Sequence, residues 1–184
     1  MEATKILMDE HRVIERVLDA LETAARRLAD GAPAAPEVFL RGAEFIKGFA
    51  DGCHHRKEEG VLFPAMESVG VPAEGGPIGV MLAEHDEGRR LTGAMRGAAE
   101  RLAAGDDGAR AELVESALGY VDLLRQHIAK EDNVLFPMAE QVLDGPAQAE
   151  VAQGFRRVEH EETGPGVHQK YLDLAASIEK LVAA

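Results

Sequence analysis

His54-His55-Arg56-Lys57-Glu58-Glu59-Gly60-Val61-Leu62-Phe63-Pro64 and His127-Ile128-Ala129-Lys130-Glu131-Asp132-Asn133-Val134-Leu135-Phe136-Pro137 share one pattern, His-x-x-x-Glu-x-x-x-Leu-Phe-Pro, at an offset of 73 residues. A second matched pair, Leu7-Met8-Asp9-Glu10-His11 and Met81-Leu82-Ala83-Glu84-His85, lies ahead of them at an offset of 74. Offsets this close mark an internal repeat. Each unit carries one His early and a His/Glu pair late.

Apolar periodicity around these motifs is helical. Residues 4–30 place Ile6, Leu7, Ile14, Leu18, Leu21 and Leu28 mainly three, four and seven apart, the stripe of an amphipathic helix. The Pro-containing run at 31–36 ends it. A second helix is expected over 37–69, carrying Phe39, Phe45, Ile46, Phe49, Val61 and Leu62, before the Gly/Pro-rich segment 70–77. A third covers 78–104 and closes at 105–108, and a fourth covers 109–143 and stops at Asp144-Gly145-Pro146. Residues 147–183 read as further helix interrupted at Gly164-Pro165-Gly166. The expected fold is therefore all-α: an up-down-up-down four-helix bundle over 1–146, with a C-terminal helical extension, 147–184, packed on or beside it.

Depth in the bundle supports one polar layer. His11 and His54 lie about equally far from the first turn, and His85 and His127 about equally far from the turn near residue 106; equal distance from an antiparallel turn means equal height. All four histidines then meet in one layer if the two hairpins pack side by side.

Composition sets the wider limits. At 184 residues with 46% hydrophobic side chains, the chain supports one domain with a substantial core. Ala, Leu, Glu and Arg fill the long stretches and favour helix because they lose little rotamer freedom there. Aromatics at 4%, no Trp and a formal charge of −13 argue against nucleic acid and anionic membrane surfaces. A lone Cys53, no apolar run of about 18 residues and no basic-then-apolar start predict a protein that does not span a membrane and is cytoplasmic.

The chemistry rests on spacing. Residues four apart share a helix face, so His54/Glu58 and His127/Glu131 each aim a nitrogen and a carboxylate at a common point. Four of the seven histidines have Glu four places on, where this glutamate content gives fewer than one by chance. A single such pair is ordinary surface pairing; two in the same register to Leu-Phe-Pro, with two further histidines at matched depth, are a metal site. Imidazole suits iron, zinc or copper, and a carboxylate can bridge two ions.

At these residues the chain resembles the hemerythrin-like, or HHE cation-binding, domains. The resemblance spans roughly 4–143 and is carried by Glu10-His11, the run 54–64, Glu84-His85 and the run 127–137. It implies a non-haem di-iron centre, oxo- or hydroxo-bridged, with Glu58 and Glu131 as bridging carboxylates and His11, His54, His85 and His127 as terminal ligands. The family's oxygen carriers place a second His four residues after the third-helix His; here that position is Arg89. The resemblance then implies open positions suited to a small diatomic or peroxide, bound or turned over, with iron or oxygen sensing through a protein partner as the alternative.

Other residues keep two readings. Glu15, opposite Arg89 in the repeat, is either an added ligand or proton relay, or a surface partner for a base. The pair His55/Glu59 is rotated about 100° from His54/Glu58 on an α-helix; the Leu-Phe-Pro register selects His54/Glu58 for the interior and leaves His55 and Glu59 as possible additional ligands or supports of the ligands. His160 and His168 either approach the site from outside or cap local structure. Cys53 is a thiol near the site or a buried core residue. Pro64 and Pro137 are expected to kink or end the regular helix.

Overall fold

A computed structural model of the chain describes residues 1–33, 35–164 and 166–183, the side chains of 161–163 excepted. Helix α1 is Glu2–Ala29. Helix α2 spans 36–68 and changes its winding on the way: α-helical at Pro36–Phe45, π-helical at Ile46–His55 and again at Glu58–Leu62, and α-helical at Phe63–Ser68. Helix α3 is Pro77–Ala103. Helix α4 spans 110–142, with a π segment, Glu131–Leu135, between Arg110–Lys130 and Phe136–Val142. Helix α5 joins Gly145–Arg157 to the π segment Val158–Thr163, and α6 is Val167–Ala183. No strand occurs among the described residues, and no helix is long and apolar enough to cross a membrane.

Helices α1 to α4 close into a ring in which α3 packs on α2 and α4, and α4 packs on α1. This is the all-α bundle that the sequence predicts. Helix α6 lies against both α1 and α2, and α5 lies against α1 and the second π segment of α2. The extension is thus continuous with the core: Ala175 and Ile178 of α6 join one hydrophobic cluster, and Val151 and Phe155 of α5 join the other. The two clusters are separate. One gathers Leu18, Leu21, Phe39, Phe45, Met95, Leu113 and Val121; the other gathers Leu7, Leu62, Phe63, Ile78, Leu135 and Phe136. Between them along α1 lies His11, at the level of the buried polar side chains.

The prolines explain two of the π segments, Glu58–Leu62 and Glu131–Leu135. Pro64 and Pro137 lack the N–H that an α-helix needs and crowd the preceding turn. Neither helix ends there. The residue before each proline donates five places back instead, Phe63 N–H to the Glu58 carbonyl and Phe136 N–H to the Glu131 carbonyl, and the wider winding carries the helix through. Single-turn π segments concentrate at functional positions, and both of these begin on the repeated glutamates.

Gly154 sets the seat of α5. A Cβ there would lie 2.5 Å from Val61 Cγ1, so only glycine lets α5 approach α2 this closely. Helix propensity alone makes Gly154→Ala stabilising by about 1 kcal/mol. The contact reverses the sign: overpacking of this kind destabilises by about 1–3 kcal/mol. Urea unfolding of the two proteins decides between them, and a gain in stability would show that α5 is not seated on Val61.

Candidate metal centre

Seven side chains meet in the polar layer, all nearly or completely sealed from solvent: His11, His54, Glu58, His85, His127 and Glu131, and with them His55, which at 4% is the most exposed of the set. Their donor atoms form two groups, each within 4.8 Å: His11, His54, Glu58 and Glu131, and His55, Glu58, His85 and His127. Glu58 belongs to both. Its Oε1 is 3.5 Å from His54 Nε2 and its Oε2 is 3.5 Å from His85 Nε2. Glu131 Oε2 likewise lies 3.2 Å from His11 Nε2 and 3.3 Å from His127 Nε2. Each glutamate therefore spans the two groups.

The imidazoles are oriented from outside. His11 Nδ1 donates to Asp132 (2.7 Å), His54 Nδ1 to Glu10 (3.0 Å), His85 Nδ1 to Glu59 (2.7 Å), His127 Nδ1 to Glu84 (2.9 Å) and His55 Nδ1 to Asp51 (2.9 Å). A carboxylate on Nδ1 fixes the proton there and turns Nε2 inward. The Nε2 atoms then meet in pairs, His11 with His54 at 3.0 Å and His85 with His127 at 3.1 Å. The phenylalanines of the two Leu-Phe-Pro motifs pack flat on the histidines of the opposite hairpin: Phe136 stacks on His11 at 5.5 Å and Phe63 on His85 at 6.1 Å. That contact gives the repeated motif its purpose.

The layer is electrostatically unbalanced as it stands. Burial, with Glu131 beside it, pushes the Glu58 carboxyl well above its ordinary range. Burial also opposes the charge on Glu131, but His127 and His11 outweigh it and hold that carboxyl well below its ordinary range. Burial lowers His54 to about 4, whereas on His11 burial is overcome by Asp132 and Glu131, which raise it to about 8. Both oxygens of Glu58, both of Glu131 and Nε2 of His55 are buried with no hydrogen-bond partner. Leaving buried polar atoms unpaired costs about 1–3 kcal/mol each and more when charged. Converging Nε2 atoms and orphaned carboxylate oxygens are what bound cations would satisfy, so the donor set fits a pair of metal ions.

His55 departs from the sequence expectation. On an α-helix only one of two adjacent residues faces the centre, and the repeat favours His54. The π winding of Ile46–His55 holds more residues per turn, so neighbouring side chains diverge less, and both rings point inward. His55 stacks on His85 at 3.8 Å between centroids. The repeat hid this because the residue after His127 is Ile128, which packs in the apolar core. Glu59 stays at the rim, half-buried, holding His85. Arg89, which stands where the resembled oxygen carriers have a histidine, grips Glu59 at 2.6 Å and approaches Asp51 at 3.4 Å, bracing the supports of His85 and His55 together. Glu15 is at the surface, paired with Arg12 at 3.0 Å. His160 is exposed. His168 is half exposed and reaches Glu10 only at 4.0 Å. Cys53 is buried in the core.

Sequence reading missed the outer carboxylates Glu10, Glu84, Asp132 and Asp51 as functional groups. The first two sit beside the early histidines at the repeat offset, a signal that could have found them. Tyr120 was also missed: its ring lies 3.6 Å from the Cβ position of Gly88, and its hydroxyl is buried without a hydrogen-bond partner. Burial, with Asp51 nearby, raises that hydroxyl well above the ordinary phenol range.

A family model, the hemerythrin HHE cation binding domain, matches residues 2–139. Uncharacterized proteins of Mycobacterium tuberculosis and Mycobacterium bovis are each 32% identical over 179 residues, 97% of this chain and 69% of theirs. An iron-sulfur cluster repair protein, YtfE, of Dickeya chrysanthemi is 33% identical over 88 residues, 47% of this chain and 40% of that protein. No solved structure matches the chain.

The orphan hydroxyl makes a prediction about metal-free protein. Tyr120→Phe removes an unpaired buried group at constant shape and should leave stability unchanged or raise it by about 1 kcal/mol. Chemical denaturation measures it. A loss above about 1 kcal/mol would mean that the hydroxyl has a protein partner.

Proposed function

The chain belongs to the hemerythrin HHE cation-binding family, and from that premise we propose that it is a non-haem di-iron protein that binds or reacts with a small molecule of the size of dioxygen, nitric oxide or peroxide. The observation that carries this reading is the sealed layer of inward Nε2 and carboxylate atoms, five of them with no hydrogen-bond partner among the described residues. His11 and His54 would hold one iron, and His55, His85 and His127 the other, with Glu58 and Glu131 placed to be shared between them. Bound iron supplies one-electron chemistry and a Lewis-acid position for an incoming ligand.

The remaining work is done by the chain. The outer carboxylates orient five rings, so the donor atoms are in place before metal arrives, and metal would displace the protons they still carry. Phe63 and Phe136 close the layer from one side and exclude water. Since no donor is more than 4% exposed, only a small molecule fits beside them, which argues against an organic substrate. Arg89 does not leave this site a nitrogen short, because His55 supplies the fifth imidazole. The His11/His54 group would offer one imidazole fewer than the His55/His85/His127 group, so a small ligand would be admitted on the side of His11 and His54. Imidazole and carboxylate also accept zinc or manganese; iron is favoured by the family and by the relatedness to an iron-sulfur cluster repair protein.

A second reading, iron or oxygen sensing through a partner without turnover, draws on one observation: α5 reaches the outer shell of the layer, where Glu159 bonds Lys57 at 2.8 Å.

Purified full chain should carry two irons and show an absorption band of a ferric pair that changes when peroxide or nitric oxide is added. His55→Ala should keep one iron and weaken the other by at least about tenfold, while His160→Ala keeps both. Metal analysis after dialysis against a chelator reads all three. A wild-type chain that retains no iron, or identical retention by both variants, contradicts the assignment.

A further inference from the structure

The outer shell of the layer is repeated, but its environment is not. His54 donates to Glu10 Oε2, and the ammonium of Lys57, three residues after His54, bonds Glu10 Oε1. His127 donates to Glu84 Oε2, and Lys130, three residues after His127, bonds Glu84 Oε1. Here the symmetry stops. The Lys130 side chain is 41% exposed, so water screens it. Lys57 is fully buried, and its ammonium bonds a second carboxylate, Glu159 of α5, at 2.8 Å. It also stands 5.9 Å over the Phe155 ring. Val151, Phe155 and Val158 of α5 are buried and hold it in place.

Glu10, Glu159 and His168 are grouped closely enough to hold a cation. Lys57 is that cation, bonded to both carboxylates.

We propose that Glu159 makes α5 a selective regulator of the iron held by His11 and His54, through the chain Glu159–Lys57–Glu10–His54, so that seating of α5 and oxidation of that iron favour each other. The inference rests on the di-iron reading above. With Glu159 in place, Lys57 divides its charge between two carboxylates. Glu10 keeps more negative charge, accepts the His54 Nδ1 proton more strongly and makes Nε2 a better donor to an oxidised ion. With α5 unseated, Lys57 neutralises Glu10 alone, and the reduced ion is favoured. Glu159 is a positioning residue, remote from the ligand, and the His127 half of the layer has no counterpart to it among the described residues.

The test is a mediated redox titration of iron-loaded full chain, followed by absorbance. Glu159→Gln should make one of the two one-electron steps easier, raising the reduced fraction several-fold at a fixed potential, and leave the other step in place. Lys57→Met should abolish the effect of Glu159→Gln, whereas Lys130→Met should not. A structural role alone would move both steps, or neither. Coupling between seating and oxidation is reciprocal, so wild-type protein offers an independent check: backbone hydrogen exchange over 145–163 should be slower in the oxidised than in the reduced state. Unshifted steps in Glu159→Gln, a shift that persists in Lys57→Met, or equal exchange in the two states overturns the proposal while leaving the di-iron reading intact. A wild-type chain without iron removes that reading and this inference together.

Discussion

Five imidazoles and two carboxylates are buried in the middle of an otherwise apolar bundle, and the rest of the structure answers to that burial. Charged and polar groups leave water only when something replaces it. On the outer side, five carboxylates replace water at the Nδ1 atoms. On the inner side no described residue does: the Glu58 and Glu131 oxygens and the His55 Nε2 have no hydrogen-bond partner among them. A layer satisfied on one face and unsatisfied on the other is preorganised for cations, and metal binding to the folded state alone would add to stability by mass action.

Local winding is what fits so many donors into one level. An α-helix offers the centre one side chain per turn from each strand of the bundle. The π segment Ile46–His55 lets α2 offer His54 and His55 together, and the π turns at Glu58–Leu62 and Glu131–Leu135 carry the bridging glutamates past the prolines without ending the helices. The apolar clusters on either side clamp this level, with Phe63 and Phe136 forming the boundary.

The repeat made much of this legible before any coordinates. Helix positions, the all-α bundle and the meeting of His11, His54, Glu58, His85, His127 and Glu131 all follow from apolar periodicity and matched offsets. His55 was legible only as a possible additional ligand, because a fixed helical angle per residue turns it away from the centre. Glu10 and Glu84 were visible as neighbours of the early histidines, but neighbours in sequence say nothing about which ring they will hold. Glu10 crosses to His54 rather than serving His11, a pairing that only the packing of α1 on α2 sets. Glu159 lies outside the repeat, so no internal comparison could single it out.

Asymmetry is therefore layered onto a duplicated scaffold by three features: the extra π turn that brings in His55, Arg89 bracing Asp51 and Glu59 on that side, and α5 covering Lys57 on the other. The most direct measurement of the central claim is anomalous diffraction at the iron edge from crystals of the iron-loaded full chain. The account predicts two peaks within the layer, one beside His11 and His54 and the other beside His55, His85 and His127, with Glu58 and Glu131 between them. One peak, none, or a second ion that leaves His55 without contact would contradict it.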